Sequence, residues 1–259
     1  MLTRLDSGQT EVMKHEAKDA DRAILMIDPF PSDPPKESEE PDDLLNVATG
    51  LLSAMRKQGM FKPEDLLLAQ RTDIYNRFLI APSRTDENDH PVKNPLASGG
   101  FEAFAGFLQN NFRQHDFMLG RRNCQRFLMA HLTLDAQNPL FDNWRDNNAM
   151  FERHRVVKNG VDHLPIIPLN ETLREPIDQL LWPKLTKNCS RILRKAFKQR
   201  TIALGEQVLR QQISNRAVRS GAMLGFKWLS RTLVKRIMGK IQCDLKKRNQ
   251  LNYRYRETE

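Results

Sequence analysis

The residue types best suited to chemistry fall in one short run: Arg113, His115, Asp116, Arg121, Arg122 and Asn123. An imidazole beside a carboxylate is the pairing of a general base and its orienter, and arginine forks suit a carboxylate or phosphate. Each reading meets a plainer one. Adjacent residues on a helix point about 100° apart, so His115 and Asp116 should not easily hydrogen-bond each other. Asp116 is then a partner for Arg113, Arg121 or another basic group, and His115 a surface or capping residue. Arg121, Arg122 and Asn123 become part of a set of salt bridges to an acidic body. The plainer reading is preferred at both places, and the six residues are expected to form a structural polar seam.

Other chemistry leaves no trace. A serine on a strand-to-helix elbow reads G-x-S-x-G, a phosphate loop G-x-x-x-x-G-K or G-x-G-x-x-G, and a zinc helix H-E-x-x-H. None occurs, and the six histidines are scattered. Cys124, Cys189 and Cys243 are far apart and form no C-x-x-C, so they read as buried free thiols in a reducing compartment. No catalytic, metal-binding or cofactor-binding residue is assigned.

Charge divides the chain. From Lys184 to Glu259 there are 20 Lys and Arg against 4 Asp and Glu, about +16, although the whole chain carries only +9. The first 183 residues therefore hold 21 basic and 28 acidic groups, about −7. The acidic part is expected to be the compact body. The basic part needs an anionic partner or must lie on that body as solvated helices. In its last helix Lys and Arg flank an apolar stripe carrying Phe226 and Trp228, and Lys227, Trp228, Arg231, Lys235 and Arg236 are candidate contacts to anionic lipid. The alternative is a core stripe with a solvated cationic face. Nucleic acid is disfavoured, because no reader fold is recognisable and the aromatics are not spaced as stacking platforms. No run approaches the roughly 20 apolar residues of a membrane span, and the N-terminus shows no secretory h-region.

These residues need elements to hold them. Gly99 to Leu132 reads as two helices with one apolar stripe each, Phe101, Phe104, Phe107 and Leu108, then Phe112, Phe117, Leu119, Phe127, Leu128 and Leu132. Gly99 and Gly100 allow a tight turn or close packing before the pair. Residues 1–21 read as loop. Arg22–Asp28 reads as a strand buried on both faces, as in a parallel sheet, and Arg77–Pro82 as a second short strand. Ser32–Asp43 reads as an acidic loop, Leu44–Lys57 as a helix capped by Asp42 or Asp43, and Leu66–Tyr75 as helix after Pro63. Leu164–Leu169, broken by prolines, reads as an edge strand or extended segment, and Glu171–Leu181 as a short helix. From Lys184 helices dominate. The last runs from about Ala222 to Leu245 after a break at Ser220-Gly221, with Phe226, Leu229, Leu233, Ile237, Ile241 and Leu245 on its apolar face. The end, RNQLNYRYRETE, reads as frayed.

Two stretches resemble a known family. Ile27-Asp28-Pro29-Phe30-Pro31 after an apolar strand, and FAGFLQNNFRQHDFMLGRRNCQRFL from Phe104 to Leu128, are similar to the C-terminal portion of bacterial patatin-like phospholipases. The Leu164–Leu169 stretch and Trp182-Pro183 also fit, so the resemblance covers most of residues 22 to 183. The HD-x-x-LGRRN element is its specific part. The resemblance implies lipid acyl hydrolases with a Ser–Asp dyad on an α/β sheet. Their serine lies in G-x-S-x-G, their aspartate in D-G-G or D-G-A, and both precede the IDPFP strand. This chain is expected to begin downstream of them, and Asp6-Ser7-Gly8 does not substitute.

The expected fold is thus α/β by ancestry, mostly α-helical here, with one buried strand at about 22–28 and one or two short edge strands. The expected domains are residues 1–183 and a basic helical region, 184–259. The expected function is the C-terminal region of a patatin-like phospholipase, inactive alone. Its partners would be an anionic membrane or a separate N-terminal catalytic segment, and its place cytoplasmic and peripheral at the inner membrane. A non-catalytic membrane-associated or partner-binding helical protein is the alternative.

Overall fold

The computed structural model describes residues 2–4, 10–12, 14–28, 63–86, 88–100, 104–145 and 147–254. The expected Ser32–Asp43 loop and Leu44–Lys57 helix, Phe101 and the prolines of IDPFP lie outside them. The described chain mixes helix and strand. In order it runs β1 (Leu2–Arg4), β2 (Thr10–Val12), β3 (Ile24–Ile27), α1 (Pro63–Gln70), β4 (Arg77–Ile80), α2 (Asn110–Ala130), β5 (Thr133–Asp135), α3 (Asp142–Arg145), α4 (Asn148–His154), β6 (Val156–Lys158), β7 (Val161–Pro165), α5 (Glu171–Arg174), α6 (Lys187–Gln212) and α7 (Arg216–Lys247). By its contacts it forms two compact units, residues 1–83 with 120–178, and residues 84–119 with 179–259. The basic stretch from Lys184 therefore shares its unit with residues 84–119 of the acidic part.

In the first unit β1 and β2 pair antiparallel, where the polar composition of residues 1–21 suggested loop. β3 and β4 pair parallel in the register Ile24↔Arg77 to Ile27↔Ile80. The parallel pairing agrees with the apolar run, but burial on both faces does not. Met26 is buried, while Leu25 and Ile27 are 46% and 60% exposed, so β3 is covered on one side only.

A third sheet has the order β5-β7-β6, all antiparallel. Its middle strand is the segment read as an edge, shifted to Val161–Pro165. A proline fits there because it sits at the strand's last position, where losing one donor costs little ladder. The β6–β7 turn is Asn159-Gly160 with φ of 50° and 81°, both in the left-handed region a two-residue hairpin needs. Leu134, Phe141 and Leu164 pack beneath this sheet, and Phe78, Phe127 and Leu132 form a neighbouring cluster. Asn138 accepts from Leu140 N at 3.0 Å and donates to Ala20 O at 3.0 Å, pinning residues 16–20 to the core. The helix read to Leu181 is only α5, Glu171–Arg174, capped by Asn170.

In the second unit the expected helix pair is not a pair. A 3₁₀ turn, Phe104–Phe107, leads into α2, which continues through Gly120 without a break. Its Asn110–Leu119 half lies in this unit and Gly120–Ala130 in the first. The core gathers Ala97, Ala105, Phe112, Leu185, Val234, Met238, Ile241 and Leu245. Gly100 is closely approached: a Cβ there would come within 2.6 Å of the Asp244 carboxylate.

α6 and α7 form an antiparallel hairpin around Ile213–Asn215. Thr186 caps α6 by accepting from Cys189 N at 3.2 Å, and Asn215 caps α7 by accepting from Ala217 N at 2.9 Å. Each cap contributes about 1 kcal/mol. The break thus lies at Asn215 rather than Ser220-Gly221, which is helical, with the Ser220 hydroxyl donating back to Arg216 O. The buried stripe is shifted too. Ser230, Val234, Met238, Ile241 and Leu245 face inward, while Leu229 and Leu233 are exposed. Phe226 lies on Gly205, where an added Cβ would stand 2.0 Å from its ring. The end of the chain is clasped rather than frayed as far as residue 254. Gln250 is fully buried and donates to Ala97 O at 2.7 Å, Leu185 N donates to Gln250 O at 2.7 Å, and Trp182 Nε1 donates to Arg248 O at 2.9 Å.

Candidate functional site

The polar seam splits when its residues are placed. In the second unit Asp116, on α2, accepts from Ala97 N at 2.7 Å, Ser98 N at 2.8 Å, the Ser98 hydroxyl and His115 Nδ1 at 2.9 Å. His115 is 2% exposed, its ring edge-on to Trp182 with centroids 5.2 Å apart. Two expectations are corrected here. His115 is neither a surface nor a capping residue, and it does bond its neighbour. The 2.9 Å bond from His115 Nδ1 closes the 100° between the two side-chain directions. The basic partner of Asp116 is thus His115 rather than Arg113, which donates to Gly106 O at 2.7 Å and to Asn110 Oδ1 at 3.0 Å.

Burial alone would raise the Asp116 carboxyl, but the bonds from His115, Ser98 and Ala97 outweigh it and hold the group below the usual range. Ser, His and Asp meet here without forming a nucleophile and its base. The serine hydroxyl is bonded to the carboxylate, whereas activation needs it on the imidazole. The cluster fastens residues 97–98 onto α2.

The candidate lipid contacts are exposed. Lys227, Trp228, Arg231, Lys235 and Arg236 all face solvent on α7. Leu224, Trp228, Arg231 and Lys235 follow one another at steps of four, three and four, so they share one stripe, with Lys227 on its flank. Leu224 and Trp228 are 70% and 71% exposed. Arg236 lies about 100° away from Lys235 and belongs to another face. α7 is therefore apolar on two sides, and α6 covers one of them. No helix among the described residues is long and apolar enough to cross a membrane. The expectation of buried thiols fails for Cys124, which is exposed.

The first unit contains a cleft of about 770 Å³ between the segment leading into β4, β4 itself, the Gly120–Ala130 half of α2 and the β6–β7 turn. Asn123, from the expected seam, lines it together with Tyr75, Arg126, His131 and Lys158, over an apolar wall that includes Phe78, Ile80 and Phe127. No Asp or Glu lines it among the described residues. Arg71 at its edge is occupied by Asp73, with contacts of 2.9 and 2.5 Å. Among the described residues Lys158 has no such carboxylate. Its Nζ lies 3.5 Å from His131 O and 5.9 Å from the centre of the Tyr75 ring. Burial pushes its amine below the ordinary lysine value. Burial, and then the Lys158 charge, push His131 down as well. Asn123 Nδ2 is buried and has no partner.

Sequence reasoning named Asn123 but missed Lys158, Arg126, His131 and Tyr75, which come from separate segments and form no motif. Among the described residues no group of three His, Cys, Asp or Glu side chains could hold a metal ion.

No family model matches the chain, and no solved structure matches it. It is similar to a protein of Sinorhizobium fredii named only as uncharacterized protein y4iI, with 32% identity over 221 residues. The match takes in 80% of this chain but 31% of that protein, so the chain spans less than a third of the length of this relative.

Proposed function

We propose that this chain is a non-catalytic region of a longer patatin-like lipid acyl hydrolase, and that it meets anionic lipid through the outer face of α7. The exposed stripe of Leu224 and Trp228 beside Lys227, Arg231 and Lys235 carries this reading. An apolar strip edged by cations suits the boundary between acyl chains and anionic headgroups. Each cation near such a surface contributes about 1 kcal/mol, which salt screens. The family part rests on IDPFP and HD-x-x-LGRRN, and the parallel pairing of β3 with β4 supports an α/β ancestry. The greater length of the Sinorhizobium relative is in keeping with a region that works inside a larger polypeptide. With no G-x-S-x-G in the sequence, the chain brings no nucleophilic serine elbow of the kind that family uses. Its place on this reading is the cytoplasmic face of the inner membrane.

Vesicle flotation tests it. The chain should float with vesicles rich in phosphatidylglycerol at low salt, detach as salt rises, and stay unbound with phosphatidylcholine. Trp228→Ala and Lys235→Glu should each weaken binding several-fold. Equal binding to neutral vesicles, or none to either, overturns the lipid reading. Turnover of short acyl esters by the chain alone overturns the non-catalytic one.

A further inference from the structure

We propose that the cleft of the first unit is a binding site for a small amphiphilic anion, one carboxylate or phosphate head on an apolar body, with Lys158 and Arg126 taking the head. The starting point is an imbalance of charge. Lys158 reaches into the cleft from the end of β6 and meets a carbonyl oxygen and the face of Tyr75. Arg126 borders the same space from α2 and His131 from just past the helix end, and among the described residues no carboxylate lines it. A partly buried ammonium with only such neighbours is poorly compensated, since burying an unpaired charge is costly. The depressed amine of Lys158 is what that environment produces. An anion placed beside it would turn the same burial from a penalty into a strong, weakly screened attraction.

The donors are of the right kind. Asn123 and Arg126 are three residues apart on α2 and so share a face. The buried, unpartnered Nδ2 of Asn123 is a donor without an acceptor, which costs about 1–3 kcal/mol if it stays so. A guest oxygen within reach would relieve it. Phe78, Ile80 and Phe127 then provide an apolar wall for the body of the ligand. The cleft's volume lies within the roughly 300–1,000 Å³ that small-molecule sites occupy.

Two features limit the guest to a single anionic group. Of the other arginines that line it, Arg71 is already neutralised by Asp73, and Arg77 is buried and donates to Asn76 O at 2.8 Å. The sequence contains no Gly-rich loop of the kind that cradles a polyphosphate. The site is lined by residues of the first unit, whereas α7 belongs to the second, and it needs no lipid bound at α7.

Titration calorimetry of the full chain tests this with four probes: octanoate, octyl phosphate, octanol and inorganic phosphate. Octanoate and octyl phosphate should bind at one site, octanol at least tenfold more weakly, and inorganic phosphate weakly. Whichever of the two amphiphiles binds tighter identifies the head group as carboxylate or phosphate. Lys158→Met should weaken binding of both tenfold or more without lowering the melting temperature of the free protein, because it removes a poorly compensated charge. Arg126→Gln should weaken it several-fold, and Trp228→Ala should leave it unchanged.

A second measurement does not depend on any variant folding. After reductive ¹³C-methylation of the lysines, the dimethyl-Lys158 resonance should titrate at higher pH when octanoate is present. Octanol binding as well as octanoate, or Lys158→Met binding like wild type, overturns the proposal. So does a Lys158 titration that octanoate leaves unmoved.

Discussion

Asp116 accepts from two backbone amides, a hydroxyl and an imidazole at once. Replacing it with Ala leaves those donors without an acceptor and should destabilise the chain by about 3 kcal/mol, read from urea denaturation. The effect depends on pH with a definite sign. The folded carboxyl lies below its unfolded value, so its stabilisation is present above the unfolded value, about 3.9, and is lost as pH falls through the folded one. The gap between wild type and Asp116→Ala should therefore stay constant from pH 7 to about 5 and narrow below 4.

Sequence reading singled out this cluster and misjudged its wiring. The rule that adjacent helical side chains diverge holds for Cβ directions, but a short carboxylate and a rotatable imidazole can still close on each other. The cleft residues were illegible for another reason. Lys158, Tyr75, Arg126 and His131 are ordinary at their own positions and become a group only when strand, turn and helix are brought together.

At the scale of the element, periodicity found where helices lie but misplaced their ends and faces. The polar RQHD and GRRN inserts did not end α2. A polar turn can face outward, and Gly120 costs only about 1 kcal/mol relative to Ala in a helix, too little to terminate one anchored at Phe112 and Phe127. α7 carries apolar residues on two faces, so spacing alone could not tell Leu229 and Leu233 from Ser230, Val234 and Met238 as the inner set. The Asn159-Gly160 pair was a legible hairpin signal that the proline-broken stretch after it obscured.

The α6–α7 contact gives a sharp test. Ala at 205 gains about 1 kcal/mol of helix propensity. Its Cβ would also collide with the Phe226 ring, and overpacking of this kind costs about 1–3 kcal/mol. Gly205→Ala should thus be destabilising in the wild type and stabilising in a Phe226→Ala background. Melting temperatures of the four proteins check it, and purely additive shifts would show that the ring simply moves aside.

At the scale of the whole molecule, the boundary that charge suggests near residue 184 lies close to the packing boundary at residues 178–179, but the basic part does not pack by itself. The second unit joins residues 84–119 to residues 179–259. Its core sets Ala97, Ala105 and Phe112 against Leu185, Val234, Met238, Ile241 and Leu245. A chain cut after Pro183 would leave the first three without their cover. It should bind a hydrophobic dye and lose cooperative melting of that unit, as fluorescence and calorimetry would show. Charge reports which surroundings a segment meets, whereas burial reports what it folds with, and here the two divide the chain differently.

The clasp of Gln250 on Ala97 also has a consequence in time. It joins residues 153 apart, while the α6–α7 hairpin is built from near neighbours around a three-residue turn. Closing so long a loop carries an entropic cost that a local hairpin escapes, so the hairpin should form early and the clasp late. Interactions made after the rate-limiting step act on the rate of unfolding. Gln250→Leu should therefore hasten unfolding in stopped-flow experiments while leaving refolding nearly unchanged, which would make this buried amide a latch on the lifetime of the folded second unit.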